Sequence, residues 1–239
     1  MFSFTLTQMI EGFIMRRLLL MATFVASVSA SANTLKENQA DCDKGVSIGC
    51  YNLGIRYDNG LGVKEDKVQG GKWYMKAAEL GHVSAQYNLG VSYFEGEGVE
   101  QDKVQGVKWF AKAAAQDHAN AQLYLASSYD KGEGIEQDKV QAVKWYAKAA
   151  EQGDASAQFN LGSSYSNGEG VEQDNVQAVK WYTKAADQGL ATAEYSLARA
   201  YYKGEGVSSD KVRAIQLFKK SAEKGNALAI SVLKQLGIM

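Results

Sequence analysis

Residues 85–120 read AQYNLGVSYFEGEGVEQDKVQGVKWFAKAAAQDHAN. The same string recurs almost letter for letter over 121–156 and 157–192, with drifted copies over 49–84 and 193–228. The five copies start 36 residues apart, with no insertion or deletion. A fixed period of this length marks an array of repeated supersecondary units, each of which buries its apolar face only against its neighbours.

Each copy holds two helical segments joined by a glycine-rich elbow. In the second copy the first segment spans about Ala85–Phe94, with Ala85, Leu89 and Tyr93 at i, i+4 and i+8 on one face. Gly90 interrupts that apolar run, and Gly54 and Gly162 stand in the same slot, replaced by Ala126 and Ala198 in the other copies. Glycine or alanine there predicts close approach of a second helix. The elbow carries two glycines, Gly96 and Gly98 here, of which the first ends the helix in a left-handed cap. Asp102 opens the second segment as an N-cap, with Gln105 three residues on as in a capping box. That segment, about Lys103–Gln116, is expected to bury Val104, Val107, Phe110, Ala113 and Ala114. Trp73, Trp109, Trp145 and Trp181 form a packing column whose fifth member is Leu217.

The ends differ from the array. From Met15 the chain reads MRRLLLMATFVASVSASA. Arg16 and Arg17 precede an apolar run, Leu18–Val28, and a small-residue cleavage site after Ala30 or Ala32, the grammar of a secretory signal peptide. The run is 11 residues, short of the roughly 20 a membrane-spanning helix needs, so export with no integral membrane segment after cleavage is expected, an uncleaved anchor being the alternative. Residues 1–32 are thus an N-terminal extension plus signal peptide with Met15 the expected start, 33–48 a half repeat, 49–228 the five repeats (49–84, 85–120, 121–156, 157–192, 193–228), and 229–239 a C-terminal cap helix.

Composition excludes some classes. Lys plus Arg number 26 and Asp plus Glu 27, which gives no basic surface for nucleic acid. The chain has no proline, which suits a helical body. His82 and His118 share one slot without a partner column at ligand spacing, so no metal site is expected. The repeated G-x-G follows a helix and lacks the third glycine of a phosphate loop, so no nucleotide cofactor is expected either.

The string Ala-Gln-x-Asn-Leu-Gly-x-x-Tyr-x-x-Gly-x-Gly-Val, followed by Asp and by Lys-Trp-Tyr-x-Lys-Ala-Ala-x-x-Gly, closely resembles the Sel1-like repeat, a relative of the tetratricopeptide repeat. The resemblance covers roughly Glu37–Met239. It implies an all-α fold, a right-handed α-solenoid of stacked αα-hairpins whose first helices line the concave side. The pair Cys42 and Cys50 resembles a bacterial cysteine-rich subgroup in which two such cysteines form a disulfide. The residues alone allow a disulfide or two thiols, the disulfide being favoured by export. The subgroup repeats the pair in every hairpin, whereas here Ala78/Gln86, Ala114/Gln122, Ala150/Gln158 and Ala186/Glu194 stand in its place.

The resemblance also implies a function. With Leu89 and Tyr93 facing inward, the opposite side of each first helix is a binding face. It presents Tyr51, Ile55 and Asp58, then Tyr87, Val91 and Phe94, then Leu123, Ser127 and Asp130, then Phe159, Ser163 and Ser166, then Tyr195, Arg199 and Tyr202. Beside them runs an amide column, Asn52, Asn88 and Asn160, interrupted by Tyr124 and Ser196. Amides both donate and accept, so they either hold an extended peptide backbone or bond the elbow. The expected function is an exported, monomeric, non-enzymatic adaptor for a protein or peptide. Its site is Tyr51, Asn52, Tyr87, Asn88, Val91, Phe94, Tyr124, Phe159, Asn160 and Arg199. The alternative, which rests on the resemblance alone, is the β-lactam binding and hydrolysis associated with the cysteine-rich subgroup; Ser231 with Lys234 has the S-x-x-K spacing but lacks its companion motifs, and Ser208 with Lys211 in an elbow shows how cheaply that spacing arises.

Overall fold

A computed structural model describes residues 34–238, so the signal-peptide segment lies outside the described residues. Helix α1 is described over residues 34–43. It is followed by α2 (Ser47–Asn59), α3 (Lys67–Glu79), α4 (Val83–Glu95), α5 (Lys103–Ala114), α6 (Ala119–Lys131) and α7 (Lys139–Glu151). Then come α8 (Ala155–Asn167), α9 (Asn175–Asp187), α10 (Ala191–Lys203), α11 (Lys211–Glu223) and the terminal α12 (Ala227–Gln235). No strand occurs among the described residues. The fold is all-α, and each repeat is one αα-hairpin of even- and odd-numbered helices.

The described residues form two compact units. The first runs to Leu89 and takes in Glu97–Glu100; the second comprises Gly90–Gly96 and everything from Gln101 onward. In the first unit α2 packs on α3. In the second, α6 packs on α7, α8 on α9 and α10 on α11, while α5, α7, α9 and α11 each pack on the helix that follows.

The helix starts have two origins. Asp66, Asp102, Asp138, Asp174 and Asp210 each accept a backbone N–H three residues on, as N-caps do. The returning half of a capping box is not made. Each Asp backbone N–H instead donates to the carbonyl of a helix-ending tyrosine, Tyr57, Tyr93, Tyr129, Tyr165 or Tyr201, at 2.8–2.9 Å, which closes the elbow. Four of the even helices are capped two residues earlier than the repeat reading placed their starts, while α2 and α10 follow Val46 and Leu190 and have no side-chain cap. His82 Nδ1 accepts from Ala85 N–H, His118 Nδ1 from Ala121 N–H, Asp154 from Ala157 N–H, and Asn226 from Leu228 and Ala229 N–H. This is why α4 begins at Val83 rather than Ala85.

Two glycine slots set how close the backbones come. A Cβ on Gly90 would lie 2.6 Å from the Phe110 ring, and one on Gly162 2.8 Å from the Tyr182 ring, so the large ring of the second helix rests on the bare backbone of the first. Gly98 has φ 73° and sits directly on the Lys67 carbonyl, where any side chain would collide with backbone.

Val107, Phe110, Ala113 and Ala114 are buried as expected, but Val104 is 50% exposed. It lies in the first turn of α5 at the edge of the apolar arc, and Val68, Val140, Val176 and Val212 are exposed at the same slot. At the N-terminal end Cys42 and Cys50 form a disulfide across the α1–α2 turn, with Cα atoms 4.7 Å apart. In later copies the same junction is closed by a hydrogen bond. Buried Gln86, Gln122 and Gln158 donate Nε2 to the carbonyls of Ala78, Ala114 and Ala150 at 3.1–3.2 Å. Glutamine is thus the non-covalent counterpart of the cysteine pair.

Candidate functional site

The residues expected on the binding face fall into two sets, one in each unit. In the first unit Tyr51 stacks on the His82 ring at 4.2 Å and tilts against Tyr74 at 6.0 Å. Tyr74 is buried, and its hydroxyl bonds both Asn88 and the Asp58 carboxylate. Burial, and then the Asp58 charge, push the Tyr74 phenol well above its ordinary range. Asn52 and Tyr87 are half-buried on the same helix faces. Partial burial lowers the His82 imidazole below the usual 6.5, against a smaller raising effect of its backbone hydrogen bond, and His118 is lowered by burial in the same way. Neutral imidazole is the form that accepts the Ala85 and Ala121 N–H groups.

In the second unit Phe94, Phe110 and Tyr124 form a ring cluster. Phe110 lies 5.8 Å from Phe94 and 5.0 Å from Tyr124, and the Lys103 ammonium lies 4.8 Å over the Phe94 ring. One repeat on, the equivalent of Phe110 is Tyr146, and its neighbours are polar. The Tyr146 hydroxyl bonds Ser127 and Asn160, and burial together with Asp130 pushes that phenol up to about 12. Tyr182 repeats the polar arrangement through Ser163 at 3.3 Å, with Phe159 against its ring at 5.8 Å. Phe218 returns to the apolar one, with Tyr195 at 5.7 Å and Tyr202 at 6.5 Å.

Two members of the amide column are bonded to a buried tyrosine hydroxyl. Asn88 and Asn160 bond the hydroxyls of Tyr74 on α3 and Tyr146 on α7, and where that ring is Phe110 the amide is replaced by Tyr124. The letters that vary from copy to copy partly follow the ring beneath them. Asp130 is likewise committed, to the Lys139 ammonium at 2.7 Å. Val91 and Phe159 are half-buried walls. Arg199 differs from these: it is exposed and makes no ion pair or hydrogen bond among the described residues.

Two cavities open on these faces in the second unit. One, of about 350 Å³, is lined by Phe94, Gln101, Lys103, Tyr124, Ser127 and Ser128. Its wall includes the Lys103–Glu133 ion pair at 3.1 Å and the Ser128 hydroxyl, which is buried with no partner among the described residues. The other, of about 40 Å³, brings Arg199 beside Ser166, Tyr182 and Ser196. Gln101 and Lys103 were not expected there. A signal was present, since Gln101, Gln137 and Gln173 recur at one slot and donate to the carbonyls of Phe94, Asp130 and Ser166 at 2.7–2.9 Å.

Chemical residues are sparse. No group of three or more His, Cys, Asp or Glu that could hold a metal occurs among the described residues. Ser231 with Lys234 on α12, and Ser208 with Lys211, are all exposed, and neither lysine is bonded to its serine. No helix among the described residues is long and apolar enough to cross a membrane.

The Sel1 repeat model matches residues 47–82, 83–118, 119–154, 155–190 and 191–226, the same period in a frame opening two residues earlier. Among solved structures, c5321, a protective antigen of uropathogenic Escherichia coli with an SLR fold, is 43% identical over 80% of this chain, with a TM-score of 0.77. The chain spans only 41% of the length of c5321. A Sel1 repeat protein of Oxalobacter formigenes is 35% identical over 87% of this chain and 86% of its own, with a TM-score of 0.74. The cysteine-rich protein B of Helicobacter pylori is 25% identical over 54% of this chain and 92% of its own, with a TM-score of 0.43. A comparison with curated proteins finds no match. The chain belongs to the Sel1 repeat family.

Proposed function

We propose that the chain is an exported adaptor that holds a protein or an extended peptide on the exposed faces of its even-numbered helices, without chemistry of its own. Sel1-repeat solenoids are consistent with interaction scaffolds. The observation that carries the reading is the cavity of about 350 Å³ in the second unit. It sets two aromatic rings, Phe94 and Tyr124, beside amide, hydroxyl and ammonium groups, and it is large enough for one or two side chains. Arg199 adds an uncommitted guanidinium three repeats on, suited to a carboxylate of the partner. The Arg16–Arg17 n-region and the small-residue site support export. So does the description of c5321 as a protective antigen, since antibodies act on what they can reach.

The test is site-specific photo-crosslinking in cell-envelope extract, with the reactive residue at Ser127 or Arg199 on the even-helix face, or at Lys144 or Lys180 on the odd helices. The expected result is one partner crosslinked from 127 and 199 and absent from 144 and 180. Crosslinks arising only from 144 and 180 would overturn the reading.

A further inference from the structure

The fifth repeat breaks the pattern of the other four at one junction. In four copies a lysine one turn on covers a tryptophan face: Lys76 over Trp73 at 5.6 Å, Lys112 over Trp109 at 3.7 Å, Lys148 over Trp145 at 4.5 Å and Lys184 over Trp181 at 4.1 Å. The fifth copy keeps the lysine, Lys220, and replaces the indole with Leu217. Lys220 is exposed and has no ion pair or ring partner among the described residues.

The slot left behind is a space with known walls. Trp181 is 9% exposed and packs in one cluster with Ala149, Ala150, Ala157 and Leu161. Thirty-six residues on, those walls are Ala185, Ala186, Ala193 and Leu197, and the place of the ring falls to Leu217. There, between α9, α10 and α11, lies a cavity of about 170 Å³ lined by Thr183, Ala186, Glu194, Leu197, Leu217 and Lys220.

The polar wall changes in the same copy. At the previous junction Gln158 is satisfied at both ends: Nε2 donates to the Ala150 carbonyl and Oε1 accepts from Gln188 at 2.9 Å. Its successor, Glu194, is 3% exposed; Oε1 accepts from Lys224 at 2.6 Å, and Oε2 is buried with no hydrogen-bond partner among the described residues. A buried acceptor left unmatched calls for a donor.

We propose that this cavity is a socket for an indole. The ring would stand where tryptophan stands in the other copies, with Lys220 over its face, Ala186 and Leu197 as walls, and its N–H donated to Glu194 Oε2. The indole comes either from a tryptophan side chain of a partner protein or from a free indole compound. This socket is separate from the cavities on the even-helix faces, so its failure leaves the adaptor reading standing.

The experiment is NMR titration of the mature chain with methyl labels on leucine, using indole, N-methylindole and N-acetyl-L-tryptophanamide as probes. Indole is expected to shift Leu197 and Leu217 saturably, and N-methylindole to bind at least about fivefold more weakly because it has no donor. N-acetyl-L-tryptophanamide binding as well as indole assigns the socket to a partner's side chain; indole binding alone assigns it to a small molecule. Leu217→Trp is expected to abolish binding and raise the Tm by filling the slot. Lys220→Ala, an exposed change that leaves the fold alone, is expected to weaken binding severalfold. No saturable shift up to about 10 mM indole, or binding unchanged in Lys220→Ala, overturns the proposal.

Discussion

Two neighbouring second-helix rings, Phe110 and Tyr146, occupy equivalent slots and organise opposite surroundings. Around Phe110 the first-helix residues are Phe94 and Tyr124, and the ring is held by other rings. Around Tyr146 they are Ser127, Asp130 and Asn160, and the hydroxyl is held by polar groups. One oxygen atom decides which neighbours are tolerated, because a buried hydroxyl without partners and a buried amide without partners are each costly. Variation along the even helices is therefore of two kinds. One kind follows the ring below and serves the fold. The other, represented by Arg199, is exposed and has no ion pair or hydrogen bond among the described residues, and it is the kind we propose serves a partner.

The comparison breaks first if the two settings are mixed. Tyr124→Asn places an amide against Phe110, removes a ring contact and leaves the amide unmatched; a loss of about 2–4 kcal/mol is expected in chemical denaturation. A loss below about 1 kcal/mol would show that the ring does not dictate its neighbours. Reducing the Cys42–Cys50 disulfide removes the covalent version of the junction that glutamine closes elsewhere, at an expected cost of about 2–3 kcal/mol for so short a loop, confined to the first unit. Hydrogen exchange before and after reduction reads both magnitude and location.

Smaller effects sharpen the picture. Asn160→Ala leaves the Tyr146 hydroxyl with Ser127 alone and should cost about 1 kcal/mol. In Tyr146→Phe the same substitution should cost measurably less, and a double-mutant cycle gives the coupling directly. The imidazole caps add a pH dependence. The folded pKa values of His82 and His118 lie below the unfolded 6.5, so the unfolded chain binds protons first as pH falls. Cap stability is present above pH 6.5 and lost as pH falls through the lower folded values. The Tm of wild type should drop more between pH 7.5 and 5 than that of His82→Asn with His118→Asn, because Asn226 caps the same slot without titrating. Equal drops would remove the imidazoles from the account.

Much of this was legible in the sequence, and the parts that were not share a cause. A period of 36, elbow glycines and capping aspartates are local signals, each readable within one copy, and the hairpins follow from them. Cys42 and Cys50 were readable as neighbours across one turn. Pairings between columns were harder. Asn88 and Asn160 stand alike beside Tyr74 and Tyr146, yet their bonds cross from one repeat to the next, 14 residues apart in sequence and invisible to helical periodicity. Val104 was read as buried because it is apolar and near the stripe, but a difference of one turn edge puts it in solvent. His82 and His118 were set aside as ligands without being given a role, because histidine is a rare cap, and only the hydrogen bonds from Ala85 and Ala121 supply one. The Trp-to-Leu change at 217 was visible, whereas the space it opens depends on α9 and α10 keeping their positions.

The smallest expected effect on stability carries the largest expected effect on binding. Arg199→Glu alters an exposed side chain with no partner in the fold, so its unfolding free energy should stay within about 0.5 kcal/mol of wild type. The most direct measurement is the affinity of the crosslinked partner for Arg199→Glu by titration calorimetry. A loss of tenfold or more, about 1.4 kcal/mol, with an unchanged Tm is the predicted result. Unchanged affinity would contradict the claim that the face left uncommitted by the fold is the one that binds.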